Sequence, residues 1–270
     1  RVPLFTVLHA KEVTERIPLP LLFMIRRLLA RSGRIICVSR FTADAARARF
    51  GLPAEKVTVI HPGVDPAIYH PAPPAPGFRA RYGLGHGPVI LTMARVIARK
   101  GHDVVVRALP AVLARHPEAV YVVCGKPFEP FASRLKALVS GMGLEGHVRF
   151  TGHVPAADVA DMYRACDVCV MPSRILARKG DTEGFGITFI EAGACAKPVI
   201  GGREAGVVDA IVDGDTGLLV DPSDPAAVAG ALNRILDDPA LAESMGEAGR
   251  RRVEEAFTWD RIARRYLALL

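Results

Sequence analysis

The sequence predicts an α/β fold in which short parallel strands alternate with helices. Three observations carry that expectation. Short β-branched, apolar runs recur between segments of helical periodicity. One proline-rich stretch, Pro71-Ala-Pro-Pro-Ala-Pro-Gly77, interrupts the alternation. A glycine-flanked turn, Gly184-Phe185-Gly186, opens directly onto an apolar helix. Alternation of this regularity implies a doubly wound sheet, which places ligands at the carboxyl ends of the strands.

Taken in order, strands are expected at 4–8, 34–38 and 57–60, with helices near 20–31 and 40–50. The proline-rich stretch is stiff and can continue neither a sheet nor a helix, so it reads as an interdomain linker. Beyond it, strands are expected at 89–93, 120–124, 148–151, 168–171, 198–201 and 218–220. Helices near 102–116, 131–142, 156–165, 187–196, 206–212 and 224–236 separate or follow them, and helical segments continue to 270. The predicted organisation is a partial first domain plus linker over 1–83, a second α/β domain over 84–256, and a helix over 257–270 that crosses back to the first. Only three strands precede the linker and the sequence opens at Arg1 without Met, so the first domain is expected to lack its N-terminal half.

Composition bounds the partners. Half of the 270 residues are hydrophobic, enough for one large core or two modest ones. The net charge of +7 suits anionic partners: nucleotide phosphates, an anionic membrane surface or nucleic acid. Nucleic acid is disfavoured, because aromatic residues make up only 6% and no zinc-finger spacing or aromatic-interleaved basic stripe occurs. No apolar run is long enough to span a bilayer. Five cysteines, at 37, 124, 166, 169 and 195, lie in apolar contexts unlike a disulfide framework, so a cytoplasmic location is expected.

The most informative stretch is Asp181-Thr-Glu-Gly-Phe-Gly-Ile-Thr-Phe-Ile-Glu191. Gly184 and Gly186 let the backbone approach a ligand closely. The helix beginning near Ile187 aims unpaired N–H groups and its positive end at the same place, an arrangement that favours an anion. Glu183 and Glu191 flank the turn as acceptors for hydroxyls. Phosphate together with hydroxyls describes a nucleotide sugar.

Glu183 and Glu191, eight positions apart and followed by Cys195-Ala-Lys-Pro-Val-Ile-Gly201, resemble the Glu-x7-Glu signature of family 4 retaining glycosyltransferases. His61-Pro-Gly-Val-Asp65, Arg95, Lys100-Gly101, Gly125-Lys126, Thr151-Gly-His-Val154, Pro172-Ser-Arg174 and Gly214-Asp-Thr-Gly217 follow in the order seen in that family. The resemblance implies the GT-B fold, two Rossmann-like domains facing across a cleft, with the N-terminal one incomplete here. It also implies a metal-independent hexosyltransferase, mannose favoured, using a GDP-sugar or UDP-sugar and a lipid or glycan acceptor. By the same resemblance, Arg95 and Lys100 hold the donor diphosphate, and Gly184, Phe185, Gly186, Ile187 and Thr188 form the backbone cradle. Glu183 then faces the donor sugar, Glu191 the ribose hydroxyls, Lys126 and Val154 the base, and His9 the transferred sugar. Arg174 joins the donor-binding set, and the basic insert 174–179 is similar to that of GDP-mannose-dependent phosphatidylinositol mannosyltransferases.

The sequence departs from the family at several points, the basic insert 174–179 among them. The glycine-rich loop expected near the N-terminus is absent, and the usual Gly-Gly-x-x-Glu reads Ala205-Gly-Val-Val-Asp209. Two patterns read as structural instead of chemical. Asp213-Gly-Asp215 imitates a metal motif but precedes Thr-Gly-Leu-Leu-Val and reads as a turn into a strand. Cys166-Asp-Val-Cys169 has zinc spacing without a second pair. The segment 19–31 combines apolar residues with Arg26, Arg27 and Arg31, a basic amphipathic pattern fitting either a core-facing helix or an anionic membrane. A non-catalytic nucleotide-sugar binding module would share every cradle residue, as would a UDP-sugar enzyme of polysaccharide synthesis.

Overall fold

All nine expected strands form, with ends at the expected residue or one away, in a computed structural model that describes residues 4–176 and 180–269. The first three make a parallel sheet in the order β1-β2-β3. Its elements are β1 (Phe5–Leu8), α1 (Lys11–Thr14), α2 (Leu19–Arg31), β2 (Arg34–Cys37), α3 (Arg40–Phe50) and β3 (Val57–Val59). The side chain of Ser39 accepts from Thr42 N–H at 3.1 Å and starts α3, while Gly51 ends it at φ 67°, a left-handed position that glycine takes without a Cβ penalty. Leu8, Ile35, Cys37, Leu29, Ala43 and Ala46 form the small core between this sheet and its helices.

After the linker come α4 (Phe78–Arg81), β4 (Val89–Met93), α5 (His102–Leu113), β5 (Val120–Cys124), α6 (Phe131–Gly141), β6 (Val148–Gly152), α7 (Ala156–Ala165) and β7 (Val168–Met171). Then follow α8 (Ile187–Ala194), β8 (Val199–Gly202), α9 (Val207–Ala210), β9 (Gly217–Val220), α10 (Pro225–Asp237), α11 (Pro239–Arg252) and α12 (Trp259–Leu267). The six strands are parallel in the order β6-β5-β4-β7-β8-β9. Because β5 and β6 extend one way from β4 while β7, β8 and β9 extend the other, the loops leaving β4 and β7 part from each other and open a crevice. That crevice receives residues 94–101, 172–176 and 180–186.

The differences from expectation have local causes. Strand β8 begins at Val199 instead of residue 198, since Pro198 has no N–H for the ladder. The helix near 206–212 is a single turn, and α1 and α4 are likewise too short to show a period in the sequence. Asp224 and Asp238 each precede a proline, and their carboxylates accept from Ala226 N–H at 2.8 Å and Leu241 N–H at 3.0 Å, splitting the last long helical stretch into α10 and α11. Residues 177–179 of the basic insert lie outside the described residues.

The C-terminal helix returns to the first sheet. Ile262 of α12 is buried with Ile36 and Ile60, and Val64 N–H donates to Phe257 O at 2.8 Å. A Cβ on Gly63 would lie 2.8 Å from the Trp259 ring.

A candidate active site at the switch point

Three backbone segments meet at the start of α8. A Cβ on Gly184 would lie 2.5 Å from the carbonyl of His9, and one on Gly206 would lie 1.9 Å from the carbonyl of Gly184. No other residue type fits either position without backbone movement. Gly186 takes φ 97° and turns the chain into α8. The Ile187 and Thr188 N–H groups belong to the first helical turn, whose donors no intrahelical carbonyl takes up. The Thr188 hydroxyl donates to Met93 O at 2.8 Å, pinning the helix start to the end of β4.

Glu183 stands immediately ahead of this turn. Its Oε2 accepts from Arg99 Nη1 at 2.7 Å, from Lys100 Nζ, and from the Ser173 hydroxyl at 3.4 Å. Burial alone would raise its carboxyl, but Lys100 and Arg99 outweigh it and hold Glu183 below the ordinary carboxylate range. Burial lowers the Lys100 ammonium, opposed by Glu183. Arg99 lies in a short 3-10 turn, Ala98–Lys100, and its Nε is 2.8 Å from Asp181 Oδ1. That contact is close in distance, yet neither atom makes an aligned hydrogen bond, so it is an ion pair by charge alone.

Glu191, one turn into α8, accepts from the Tyr163 hydroxyl at 2.6 Å. Burial raises its carboxyl above the usual range, partly offset by hydrogen bonds from Tyr163 and Tyr69. The Arg95 guanidinium lies 5.6 Å from the Phe128 ring centroid, and Lys126 Nζ lies 5.7 Å from the same ring, both within cation–π reach. The Arg95 carbonyl is 3.2 Å from His102 Nε2. Since a carbonyl only accepts, Nε2 carries the proton there. Burial brings His102 down to about 4, so the ring is neutral, with Nδ1 3.1 Å from the Tyr121 hydroxyl.

The structure therefore brings together the His9 backbone, Lys100, Glu183 and the segment Gly184, Phe185, Gly186, Ile187 and Thr188. Three other expected residues are placed as follows. Arg174 is committed to Asp103 at 3.0 and 2.9 Å, Val154 is buried in the main core, and the exposed His9 side chain makes no hydrogen bond among the described residues. Asp213 accepts from Arg203 at 2.6 Å and from Leu219 N–H at 2.8 Å, which makes it a turn clamp. Cys166 and Cys169 are buried and free. Among the described residues no group of three or more potential metal-ligating side chains occurs.

Sequence reasoning missed two groups. Arg99 could not be told from Arg95 by spacing, since both follow β4 and only the 3-10 turn decides which faces the carboxylate. Asp209 is the other. Its oxygens take Arg40 Nε at 2.7 Å, Arg40 N–H at 2.6 Å and His61 Nε2 at 3.2 Å, tying α3 and the end of the first sheet to α9. Burial opposes ionisation, but the His61 and Arg40 hydrogen bonds prevail and bring Asp209 down to about 2. His61 also lies 5.1 Å from the Phe185 ring, so this node touches the cradle.

A doubly wound sheet with a helix N-terminus, a lysine and an ionised glutamate at its switch point defines a nucleotide-binding α/β protein. The chain belongs to the family Glycosyl transferases group 1, whose model matches residues 78–252, and residues 1–68 match the model Glycosyltransferase Family 4. It is 35% identical over 247 residues to the GDP-mannose-dependent alpha-(1-6)-phosphatidylinositol monomannoside mannosyltransferase of Mycolicibacterium smegmatis, covering 91% of this chain and 64% of that protein. To the D-inositol 3-phosphate glycosyltransferase of Streptomyces avermitilis it is 36% identical, covering 88% of this chain and 51% of that protein. The chain thus spans less than two thirds of the length of these relatives. Among solved structures, Anabaena HepE in complex with UDP and glucose superposes with a TM-score of 0.86 at 22% identity, covering 98% of this chain and 71% of that one, a likeness of fold.

Proposed function

We propose that this protein transfers a hexose, mannose favoured, from a nucleotide-diphosphate sugar to a lipid or glycan acceptor with retention at the anomeric carbon. The observation that carries the reading is Glu183, held ionised beside Lys100 and directly ahead of the α8 N-terminus. A carboxylate positioned for a sugar and a cationic, dipolar cradle positioned for phosphate stand one residue apart. Lys100, Arg95 and the first N–H groups of α8 stabilise the charge that develops on the departing diphosphate without reorganising. Glu191 receives the ribose hydroxyls, Lys126 and the Val154 backbone line the base, and the residue 1–83 side carries the acceptor against His9. No metal is needed in this scheme. The two relatives named above, one GDP-mannose-dependent and one named for D-inositol 3-phosphate, support a GDP-sugar donor and an inositol-type acceptor, with a UDP-sugar as the alternative donor.

The test is calorimetry of GDP, UDP, GDP-mannose and UDP-glucose, followed by transfer assays with and without EDTA. Binding of one donor and EDTA-resistant, acceptor-dependent transfer are expected. Donor binding without turnover under any acceptor would establish the binding-module reading instead, and metal-rescuable loss in EDTA would end the metal-free scheme.

A membrane-facing acceptor side is part of the proposal. Helix α2 exposes Leu19, Leu21, Phe23, Met24 and Leu28 alongside Arg26, Arg27 and Arg31, the composition of an interfacial helix on an anionic leaflet. No helix among the described residues is long and apolar enough to cross a membrane. The exposed basic, apolar face of α2 supports peripheral attachment to an anionic membrane surface, taken as the cytoplasmic one.

A further inference from the structure

We propose that Arg99 is a positioning residue, the permanent counter-ion of Glu183, whose presence frees Lys100 to move to the phosphates of a bound nucleotide. The inference rests on reading the site as a nucleotide-diphosphate cradle, because under that reading Lys100 has two claimants. It donates to Glu183, and by that contact it stands directly ahead of the α8 N-terminus, where a diphosphate would draw it. A buried carboxylate stripped of its cation binds a proton or resists the ligand that strips it. Something must stay behind when Lys100 leaves.

Arg99 is built for that part. Its side chain is 5% exposed, against 11% for Lys100, so it stays beneath the cradle while Lys100 remains nearer the opening. Its Nη1 holds Glu183 Oε2 at 2.7 Å, and its Nε sits 2.8 Å from Asp181 Oδ1. The planar guanidinium thus faces two carboxylates at once, a bridge one ammonium cannot reproduce. All three donors to Glu183 converge on Oε2, and Oε1 takes no hydrogen bond among the described residues. Among the described residues, the charged groups facing Glu183 are Arg99 and Lys100 from the 3-10 turn, with Asp181 beyond Arg99 and Arg95 beyond Lys100. Ser173 contributes a neutral hydroxyl, and the first sheet offers only the His9 carbonyl against Gly184. With Arg99 removed, Lys100 is the one cation left in contact with Glu183 among the described residues.

Titration calorimetry with GDP, repeated in buffers of different ionisation enthalpy near neutral pH, counts the protons taken up on binding. Wild type is expected to bind with no net uptake. Arg99→Met is expected to bind about tenfold more weakly or worse and to take up a proton, because the nucleotide draws Lys100 away and Glu183 protonates. Arg99→Lys keeps a cation and falls between the two. The double variant Arg99→Met/Glu183→Gln has no carboxylate to strand, so it regains GDP affinity and loses the uptake, a rescue that damage to the fold would not produce. Arg99→Met binding as tightly as wild type without proton uptake would overturn the inference. So would a double variant as weak as the single one. If wild type binds neither GDP nor UDP, the cradle reading itself fails and takes the inference with it.

Discussion

The two sheets solve the same problem at different scales. The second, with six strands, is covered on both faces by its own helices, and its site residues are held by that core: Thr188 onto Met93, Glu191 onto Tyr163, and the Arg95 carbonyl onto a neutral His102. The first, with three strands, buries a smaller core and leaves most of α2 exposed. Its contribution to the site, the His9 backbone, is placed by contact with Gly184 and is joined to the second sheet through Asp209 and α12. Ligand geometry in such an arrangement is a property of the larger sheet, and the smaller one is positioned relative to it by a few specific contacts.

The comparison breaks most readily at the glycines. Gly206→Ala would put a methyl group 1.9 Å from the Gly184 carbonyl, whereas Gly33→Ala in the first sheet meets nothing nearer than 3.7 Å. The former is expected to cost about 3 kcal/mol or more and to abolish nucleotide binding, the latter less than about 0.5 kcal/mol. Thermal melts of the two variants decide the point, and equal melting temperatures would mean the cradle yields where the structure shows it packed.

Within the second sheet, Glu191→Gln keeps shape and removes a charged acceptor, and a charge-assisted hydrogen bond contributes roughly 1.5–3 kcal/mol. Donor affinity is expected to fall by about tenfold to a hundredfold with the fold intact. Unchanged affinity by calorimetry would show that the bond to Tyr163, not a ligand hydroxyl, is the whole role of Glu191.

The joint between the sheets has a pH signature. Asp209 ionises at about 2 in the folded chain against an ordinary 3.8, so its stabilisation is fully present above the ordinary value and is lost as pH falls through about 2. Because Arg40 is largely exposed, Asp209→Asn is expected to cost only about 1–2 kcal/mol at neutral pH. The two stability curves should converge on acidification. A constant gap down to low pH would mean the loss is one of shape instead of charge.

The smallest effect on stability belongs to α2. Phe23→Ser and Met24→Ser remove exposed apolar surface, so melting should shift by less than about 0.5 kcal/mol, while sedimentation with phosphatidylglycerol vesicles should drop. Vesicle binding that survives both changes would remove α2 from the membrane-facing proposal.

Much of this was legible in the chain because it is local. Each strand is a short apolar run between breakers, the aspartates before Pro225 and Pro239 cap their helices where the sequence places them, and the glycines around Phe185 mark the turn into α8. Asp213-Gly-Asp215 could be set aside as a turn from its neighbours alone. What remained hidden depends on pairs far apart in sequence. That Arg99 and not Arg95 grips Glu183 across 84 positions and that Arg174 turns onto Asp103 across 71 follow from how the loops leaving β4 and β7 diverge, and that Asp209 is spent on Arg40 across 169 follows from α9 meeting the start of α3. Spacing along the chain can say that a cation and a carboxylate both reach the carboxyl edge of a sheet. Which of two neighbouring cations is buried against the carboxylate is decided by the turn that carries them and by the desolvation that only a packed interior imposes.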